Sequence, residues 1–164
     1  MKFTLSWLKE YLDTNATLDE ICEGLIGVGL EVEEVTDKTK LLADFTVAHV
    51  TLAEKHPNAD KLRQCVVETK DGTKQVVCGA PNARTGIKAI IALPGVTIPA
   101  TGTVFAPATI RGVESFGMMC SAKELGLSEE SGGLLELPAE SRVGQDIREL
   151  LDLETIPAAP PTTV

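Results

Sequence analysis

The residue types most often used for covalent catalysis occur here as a cysteine, Cys78, and two histidines, His49 and His56. A thiolate activated by an imidazole is a common enzyme nucleophile, so these residues permit a Cys–His pair. Cys78 ends an apolar run, however, and a cysteine in that position usually packs in the core. The acidic residues show no spacing that singles out a general acid and a general base. We therefore expect no catalytic residue in this chain.

Metal and nucleotide sites leave recognisable spacings, and this sequence lacks them. The four cysteines are spread without a C-x-x-C pair, so neither a zinc site nor a disulfide framework is predicted. Neither G-x-x-x-x-G-K-[ST] nor G-x-G-x-x-G occurs, which argues against nucleotide hydrolysis. The sequence predicts no metal and no cofactor.

The run EKHPNADKL, residues 54–62, has a more specific pattern. Pro57 would stop a strand, and Asn58 and Asp60 suit turn positions because their side chains hydrogen-bond nearby backbone. One interpretation is a rigid turn between strands, capped by Asp60. The other is a phosphate-binding end of the sheet. Its potential donors, all at or near the turn, are Lys55, His56, Lys61 and Arg63. A turn can serve both purposes, so both interpretations stay open.

A second turn motif is CGAPN, residues 78–82, which closes a predicted strand. Its Asn82 could form the turn or read the edge of a base, and turn formation is the more frequent use of this residue. Asn82 is therefore a secondary candidate for contact with a base.

Short β-prone runs from Phe45 onward must position these residues. Asp71-Gly72 joins two of the runs and is a strong hairpin signal. Pro94-Gly95 stops the apolar run IKAIIAL. The predicted strands lie within residues 45–57, 61–79, 87–93, 102–112 and 133–138. Five or six short strands separated by glycine turns predict a small closed or nearly closed barrel.

The first 40 residues are predicted to form two short helices and a strand. Ser6 is the candidate N-cap of the first helix, and TLDE at 17–20 has the form of a capping box for the second. Gly29 would end that helix. LEVEEV, residues 30–35, alternates apolar and acidic residues as a half-buried strand does.

Two further features lie near the ends of the chain. Trp7 and Tyr11 are four residues apart and are expected to pack against the second helix, with exposure for base stacking as the minor alternative. VGQDIRELLDL, residues 143–153, predicts a short helix. The proline-rich segment 156–164 is expected not to fold by itself.

The net charge of −9 is unevenly distributed. Residues 1–40 carry four Lys and Arg against nine Asp and Glu, and residues 113–164 carry three against ten. Residues 41–112 reverse the balance, with eight against five. This weakly basic middle could accept a polyanion, with strong salt sensitivity. No run of about twenty apolar residues could span a bilayer, and the first residues do not resemble a signal peptide, so we expect a cytoplasmic protein.

Three motifs, taken in order, carry a resemblance to a known family: HPNADKL, VVCGAPN and IRGVESFGMMCSAKELGL. They resemble the tRNA-binding OB-fold module that occurs as a free dimeric protein and as an appendix of several aminoacyl-tRNA synthetases. The flanking runs MKFTLSWLKEYLD, GLIGVGLEVEEV and VGQDIRELL resemble the amino-terminal region of bacterial phenylalanyl-tRNA synthetase β chains. The resemblance covers about residues 1–151, and ordered motifs are far more specific than any one alone.

The resemblance implies a mainly β fold, a five-stranded OB-fold barrel with a small N-terminal α+β element and a short C-terminal helix. Residues 1–39 would form the N-terminal element and residues 40–148 the barrel. Residues 149–164 would hold the helix end and the proline-rich tail.

The resemblance also implies auxiliary, largely sequence-nonspecific tRNA binding. The family motif R-G-x-x-S-x-G-M falls here on Arg111, Ser115 and Met118. Arg111 would bind a phosphate, Ser115 a sugar or phosphate, and Met118 the face of a base. The complete set of expected tRNA-binding residues is Arg111, Ser115, Met118, Lys55, His56, Lys61, Arg63 and Asn82.

By the same resemblance, aminoacylation belongs to the partner α chain and editing to a later part of the β chain. This chain alone is therefore not expected to charge tRNA. Its expected partners are tRNA and the synthetase α chain, and a homodimer stays open because the free modules pair. Because the family β chain continues for several hundred residues, we expect either a truncated portion or a stand-alone relative. The alternative function is a structural or assembly module with little RNA affinity.

Overall fold

The computed structural model describes residues 3–35 and 37–151. These residues fall into two compact units, one within Met1–Lys38 and one within Thr39–Asp152. The predicted proline-rich segment lies outside the described residues.

The amino-terminal unit contains α1, Leu5–Tyr11, and α2, Leu18–Gly27. Thr4 caps α1 by accepting a hydrogen bond from the Trp7 backbone N–H at 3.1 Å, so the prediction of Ser6 as the cap is wrong. The predicted capping box of α2 is confirmed, because Thr17 and Glu20 each accept from the other's backbone N–H. Gly29, with a φ of 90°, follows the helix in a left-handed conformation suited to glycine.

Two expectations for this unit are wrong. Residues 30–35 form no strand, since no strand among the described residues pairs with them and an unpaired strand leaves its backbone groups without partners. Trp7 and Tyr11 are 51% and 76% exposed and do not pack in a core. Their rings instead meet edge to face at 5.5 Å, as side chains four residues apart on one helix do.

The second unit is built on antiparallel strands, preceded by a one-turn helix, α3, Lys38–Leu41. The strands are β1 Thr46–His56, β2 Ala59–Thr69, β3 Gly72–Cys78, β4 Lys88–Ala92, β5 Ala108–Ile110, β6 Val113–Ser115, β7 Met118–Met119 and β8 Glu136–Leu137. The main sheet has the order β3-β2-β1-β4-β7, and β8 also pairs with β4. The β5 and β6 strands form a separate hairpin.

Local turn chemistry accounts for the connections that the sequence predicts. β2 and β3 join at the predicted Asp71-Gly72 turn, where Gly72 has a φ of 91°. β4 ends just before Pro94-Gly95, as expected. The predicted strand over residues 102–112 is divided: Val104 forms an isolated bridge with Thr97, and β5 begins after Pro107, which has no N–H for a ladder. The predicted C-terminal helix is a single 3₁₀ turn, Ile147–Glu149.

The core lies between the strands of the second unit, where β1 and β4 contribute fully buried Val47, Val50 and Ile90. The predicted five-stranded barrel is not closed by strand pairing, because no ladder joins β3 to β6 or β7 in the part of the chain that the structure describes. Individual hydrogen bonds instead join β3 to residues 115–116, and this boundary is called the seam below. The Phe116 N–H donates to the Gln75 carbonyl at 2.8 Å, and the Val77 N–H donates to the Ser115 hydroxyl at 3.0 Å.

Candidate nucleic-acid interface

The turn between β1 and β2 contacts the turn between β5 and β6, which brings two of the sequence motifs together. The Asn58 side-chain amide donates to the Arg111 carbonyl at 2.9 Å. His56 bonds the Ile110 carbonyl through Nε2 at 3.0 Å and accepts from the Asn58 N–H through Nδ1, also at 3.0 Å. Because Nδ1 accepts from the Asn58 N–H, Nε2 is the ring nitrogen that donates to the Ile110 carbonyl.

The β5–β6 turn holds Arg111 in an unusual backbone conformation. Arg111 has a φ of 52° and Gly112 a φ of 86°, while the flanking Ile110 and Val113 pair across the hairpin. Two central residues with positive φ characterise the tight hairpin turns that match strand twist. A side chain at such a position is strained, by about 1–2 kcal/mol for the left-handed conformation. The turn therefore presents the exposed Arg111 side chain at its tip.

Three predicted cationic residues lie on the hairpin that carries this turn. Lys55 and Arg63 are direct cross-strand partners, and Lys61 lies between Arg63 and the turn. All three are exposed. Lys55 also forms an ion pair with Asp60 at 2.6 Å. The Asp60 carboxylate reduces the positive charge that Lys55 can present to a phosphate. The Arg111 backbone meets the turn at this end of the β1–β2 hairpin through its hydrogen bond with Asn58.

Two other predicted RNA contacts, His56 and Ser115, are only 2% exposed. His56 uses both ring nitrogens to join the two turns. The Ser115 hydroxyl accepts from the Val77 N–H and donates to the Gly117 carbonyl at 2.9 Å. These hydrogen bonds hold the seam together, so the buried Ser115 hydroxyl stabilises the fold.

Asn82 is also bonded within the fold. Its side chain donates to the Leu134 carbonyl at 3.0 Å and accepts from the Leu134 N–H at 2.8 Å, like one residue of a strand pair. Gly133 permits this approach, since a Cβ there would lie 2.5 Å from the Asn82 Oδ1.

Beside Asn82 lies an ion pair that the sequence did not reveal. Arg84 bonds both oxygens of Glu136, at 2.7 and 2.9 Å. The hydrogen bond from Arg84 lowers the pKa of Glu136 to about 2, with a further contribution from Asn82. The same pair raises the pKa of Arg84. The partners are 52 residues apart, and no local pattern links them.

Met118 is half-buried and lines a cavity of about 360 Å³. The loop of residues 77–81 and the segment 121–124 also line this cavity. Phe116, two residues earlier, is 37% exposed. Met118 is thus accessible to a ligand in the cavity, whereas Gly117 between them is packed against Ile91 and Val76.

Cys78, the thiol considered as a nucleophile, is buried in the core, and so is Cys65. Burial raises the pKa of Cys78, and it raises that of Cys65 to about 11. A raised pKa lowers the thiolate fraction, which is the reverse of what an activated nucleophile needs. Among the described residues, no group of three or more metal-binding side chains is present. No helix in the described ranges has the length and apolar character needed to cross a membrane.

Comparison with known proteins places this geometry in context. The family described as "Putative tRNA binding domain" matches residues 45–146. The beta subunit of phenylalanine–tRNA ligase from Rhodospirillum rubrum is 51% identical over 156 residues, covering 95% of this chain and 20% of the relative. That from Ruegeria pomeroyi is 57% identical over 139 residues, covering 85% and 17%. The chain therefore spans about a fifth of the length of these curated relatives.

Among solved structures, a MetRS related protein from Pyrococcus horikoshii is 26% identical to this chain, with a TM-score of 0.48. The match covers 68% of this chain and 95% of that protein.

Proposed function

The chain belongs to the tRNA-binding-domain family, and from this premise we propose that its β unit binds tRNA through the ribose-phosphate backbone. It is a tRNA-binding domain of the kind found in phenylalanine–tRNA ligase beta subunits. The proposed role is auxiliary and largely independent of sequence, because contacts to phosphate position an RNA without identifying its bases.

The observation that carries this proposal is the hydrogen bond from Asn58 to the Arg111 carbonyl. It joins the turn of the cationic β1–β2 hairpin to the turn that presents Arg111. Arg111 is thereby fixed at the same end as Lys55, Lys61 and Arg63. A guanidinium can donate two parallel hydrogen bonds to one phosphate, and the lysines add point charges along the backbone.

We also propose the fold type of the domain and the enzyme in which it acts. The seam hydrogen bonds support an OB-type barrel whose last closure is made by Ser115 and Phe116 in place of a full ladder. As part of a cytoplasmic phenylalanine–tRNA ligase, the domain would act beside a catalytic site held by the partner alpha chain. The buried, high-pKa thiols support a non-catalytic role for the domain itself.

A second candidate is a structural module that assembles the synthetase and has little affinity for RNA. Two observations favour it: Asp60 partly neutralises Lys55, and His56, Ser115 and Asn82 are bonded inside the fold. A homodimer is a further form such a module could take.

Titration of the 164-residue chain with bulk tRNA separates the two candidates. Four phosphate contacts predict a slope of log K against log salt of roughly −3. Binding should therefore weaken by a factor of about 60 between about 50 mM and about 200 mM salt. Absence of binding at the lower salt concentration would contradict the tRNA-binding proposal and leave the structural module.

A further inference from the structure

The cavity beside Met118 has walls of two different kinds. Met118, Pro81 and Leu134 contribute apolar surface, while Ser121, Lys123 and Glu124 contribute polar groups. Its volume of about 360 Å³ lies within the range of small-ligand sites, which are mostly apolar with a few fixed polar groups. The apolar walls suit the face of a flat heterocycle, and the polar groups suit its edge.

Glu124 is the polar lining group whose side chain is held by hydrogen bonds to its neighbour Ser121. Its Oε2 accepts hydrogen bonds from the Ser121 backbone N–H at 2.5 Å and from the Ser121 hydroxyl at 2.6 Å. These two bonds fix the orientation of the carboxylate. Among the described hydrogen bonds, none uses Oε1. Glu124 therefore brings to the cavity a held carboxylate with an oxygen available to accept.

Glu124 also influences Cys78, another residue that lines the cavity. Burial is the main cause of the raised pKa of Cys78, and the charge of Glu124 raises it further. Cys78 lines the same cavity.

An ionised carboxylate accepts hydrogen bonds and donates none, so it distinguishes bases by their edges. Cytosine presents a 4-amino donor where uracil presents a carbonyl oxygen, which the carboxylate would repel. Acidic side chains accordingly accept from the cytosine amine in nucleic-acid complexes.

From this geometry we propose that the cavity binds an unpaired nucleobase carrying an exocyclic amine, with Glu124 accepting from that amine and Met118 against the ring. The inference rests on the RNA-binding function proposed above. It adds to that function a preference for amine-bearing bases at one position of the RNA. The other proposed contacts of the domain are to the RNA backbone.

The test compares two single-stranded RNAs of equal length and charge, hexacytidylate and hexauridylate, by fluorescence anisotropy with the 164-residue chain. Hexacytidylate should bind about tenfold more tightly, as one base-edge contact with a charged acceptor predicts. Glu124→Gln should bring the ratio of the two affinities close to one, because an amide can donate as well as accept. Glu140→Gln, an exposed charge change outside the cavity lining, should leave the ratio unchanged.

A second variant keeps the test decisive if Glu124→Gln fails to fold. Ser131 is exposed and lines the cavity, so Ser131→Leu would obstruct it while leaving Glu124 in place. This variant should weaken hexacytidylate binding severalfold and also reduce the ratio.

Bulk tRNA measured in parallel distinguishes the two proposals. If tRNA binds but the two hexamers bind equally, the base pocket is wrong and the backbone function stands. If neither tRNA nor either hexamer binds at low salt, both proposals are wrong.

Discussion

Asn58 donates a hydrogen bond to the carbonyl oxygen of Arg111 at 2.9 Å, across 53 residues of sequence. This contact fixes a strained turn against the turn of another hairpin. It explains how an arginine with a φ of 52° is retained at a position that glycine would occupy more easily. Strain at an exposed arginine is expected where the side chain has a function to perform.

Replacing Arg111 by glycine should separate stability from RNA binding. The change relieves about 1–2 kcal/mol of left-handed strain. It also lowers the free energy of unfolding by about 0.4–1 kcal/mol, because glycine gives the unfolded chain more conformational entropy. We expect the free energy of unfolding to rise by about 0.5 kcal/mol while tRNA affinity falls. Denaturant unfolding measures the first effect. Arg63→Gly, within β2, should instead lower stability by about 0.5–1 kcal/mol; a comparable loss for Arg111→Gly would contradict the strain argument.

Ser115→Ala should destabilise the fold with little effect on RNA. It removes the acceptor for the Val77 N–H and the donor to the Gly117 carbonyl in a buried seam, a loss of about 2 kcal/mol or more. Below its melting transition, the variant should bind tRNA within about twofold of the parent, since the hydroxyl contacts the fold. The exposed Ser128→Ala serves as the control for stability. A large loss of affinity in a fully folded Ser115→Ala would show a direct contact with RNA.

Gly117→Ala tests the packing at the same seam. A Cβ at this position would lie 2.8 Å from the Ile91 Cδ1 and 3.2 Å from the Val76 Cγ2. Overpacking of this kind should lower the free energy of unfolding by about 1–3 kcal/mol. Gly132→Ala is the matched control, because a Cβ there meets nothing within 4 Å. Thermal unfolding of the two variants should differ clearly, and equal stability would mean that the seam is loosely packed.

The ion pair between Arg84 and Glu136 predicts a pH dependence of stability. The pKa of Glu136 is lowered from 4.5 to about 2, mainly by the hydrogen bond from Arg84. A lowered folded-state pKa stabilises the protein above pH 4.5, and this contribution is lost as the pH falls toward 2. The Tm of Arg84→Ala should therefore be below that of the parent at neutral pH, with the difference closing in acid. The difference should be small and salt-sensitive because the pair is exposed. A difference that persists unchanged at pH 2 would assign it to a cause other than this pair.

Much of the β architecture could be predicted because its signals are local. Asp71-Gly72 and Pro94-Gly95 determine where strands turn or end, whatever lies around them. LEVEEV shows the limit of such signals, since alternation makes a strand only where a partner supplies hydrogen bonds.

The candidate site could be predicted only in part. Residue type indicates which side chains suit RNA but not which of them the fold uses internally. His56, Ser115 and Asn82 all have suitable chemistry, and each is bonded to a segment 38 to 54 residues away in sequence. Arg111, Lys61 and Arg63 are exposed, and no comparable contact buries them within the part of the chain that the structure describes.

The most direct test of backbone binding compares two arginine variants that change the net charge equally. Arg111 lies at the His56 end of β1, whereas Arg142 is close to Gly144, whose N–H donates to Val47 at the other end, about 30 Å away along the strand. Bulk tRNA is titrated against Arg111→Ala and Arg142→Ala at several salt concentrations. We expect Arg111→Ala to weaken binding about fivefold or more and to reduce the salt slope by about one, while Arg142→Ala stays close to the parent. Equal affinities and equal slopes for the two variants would contradict the placement of the interface at Arg111.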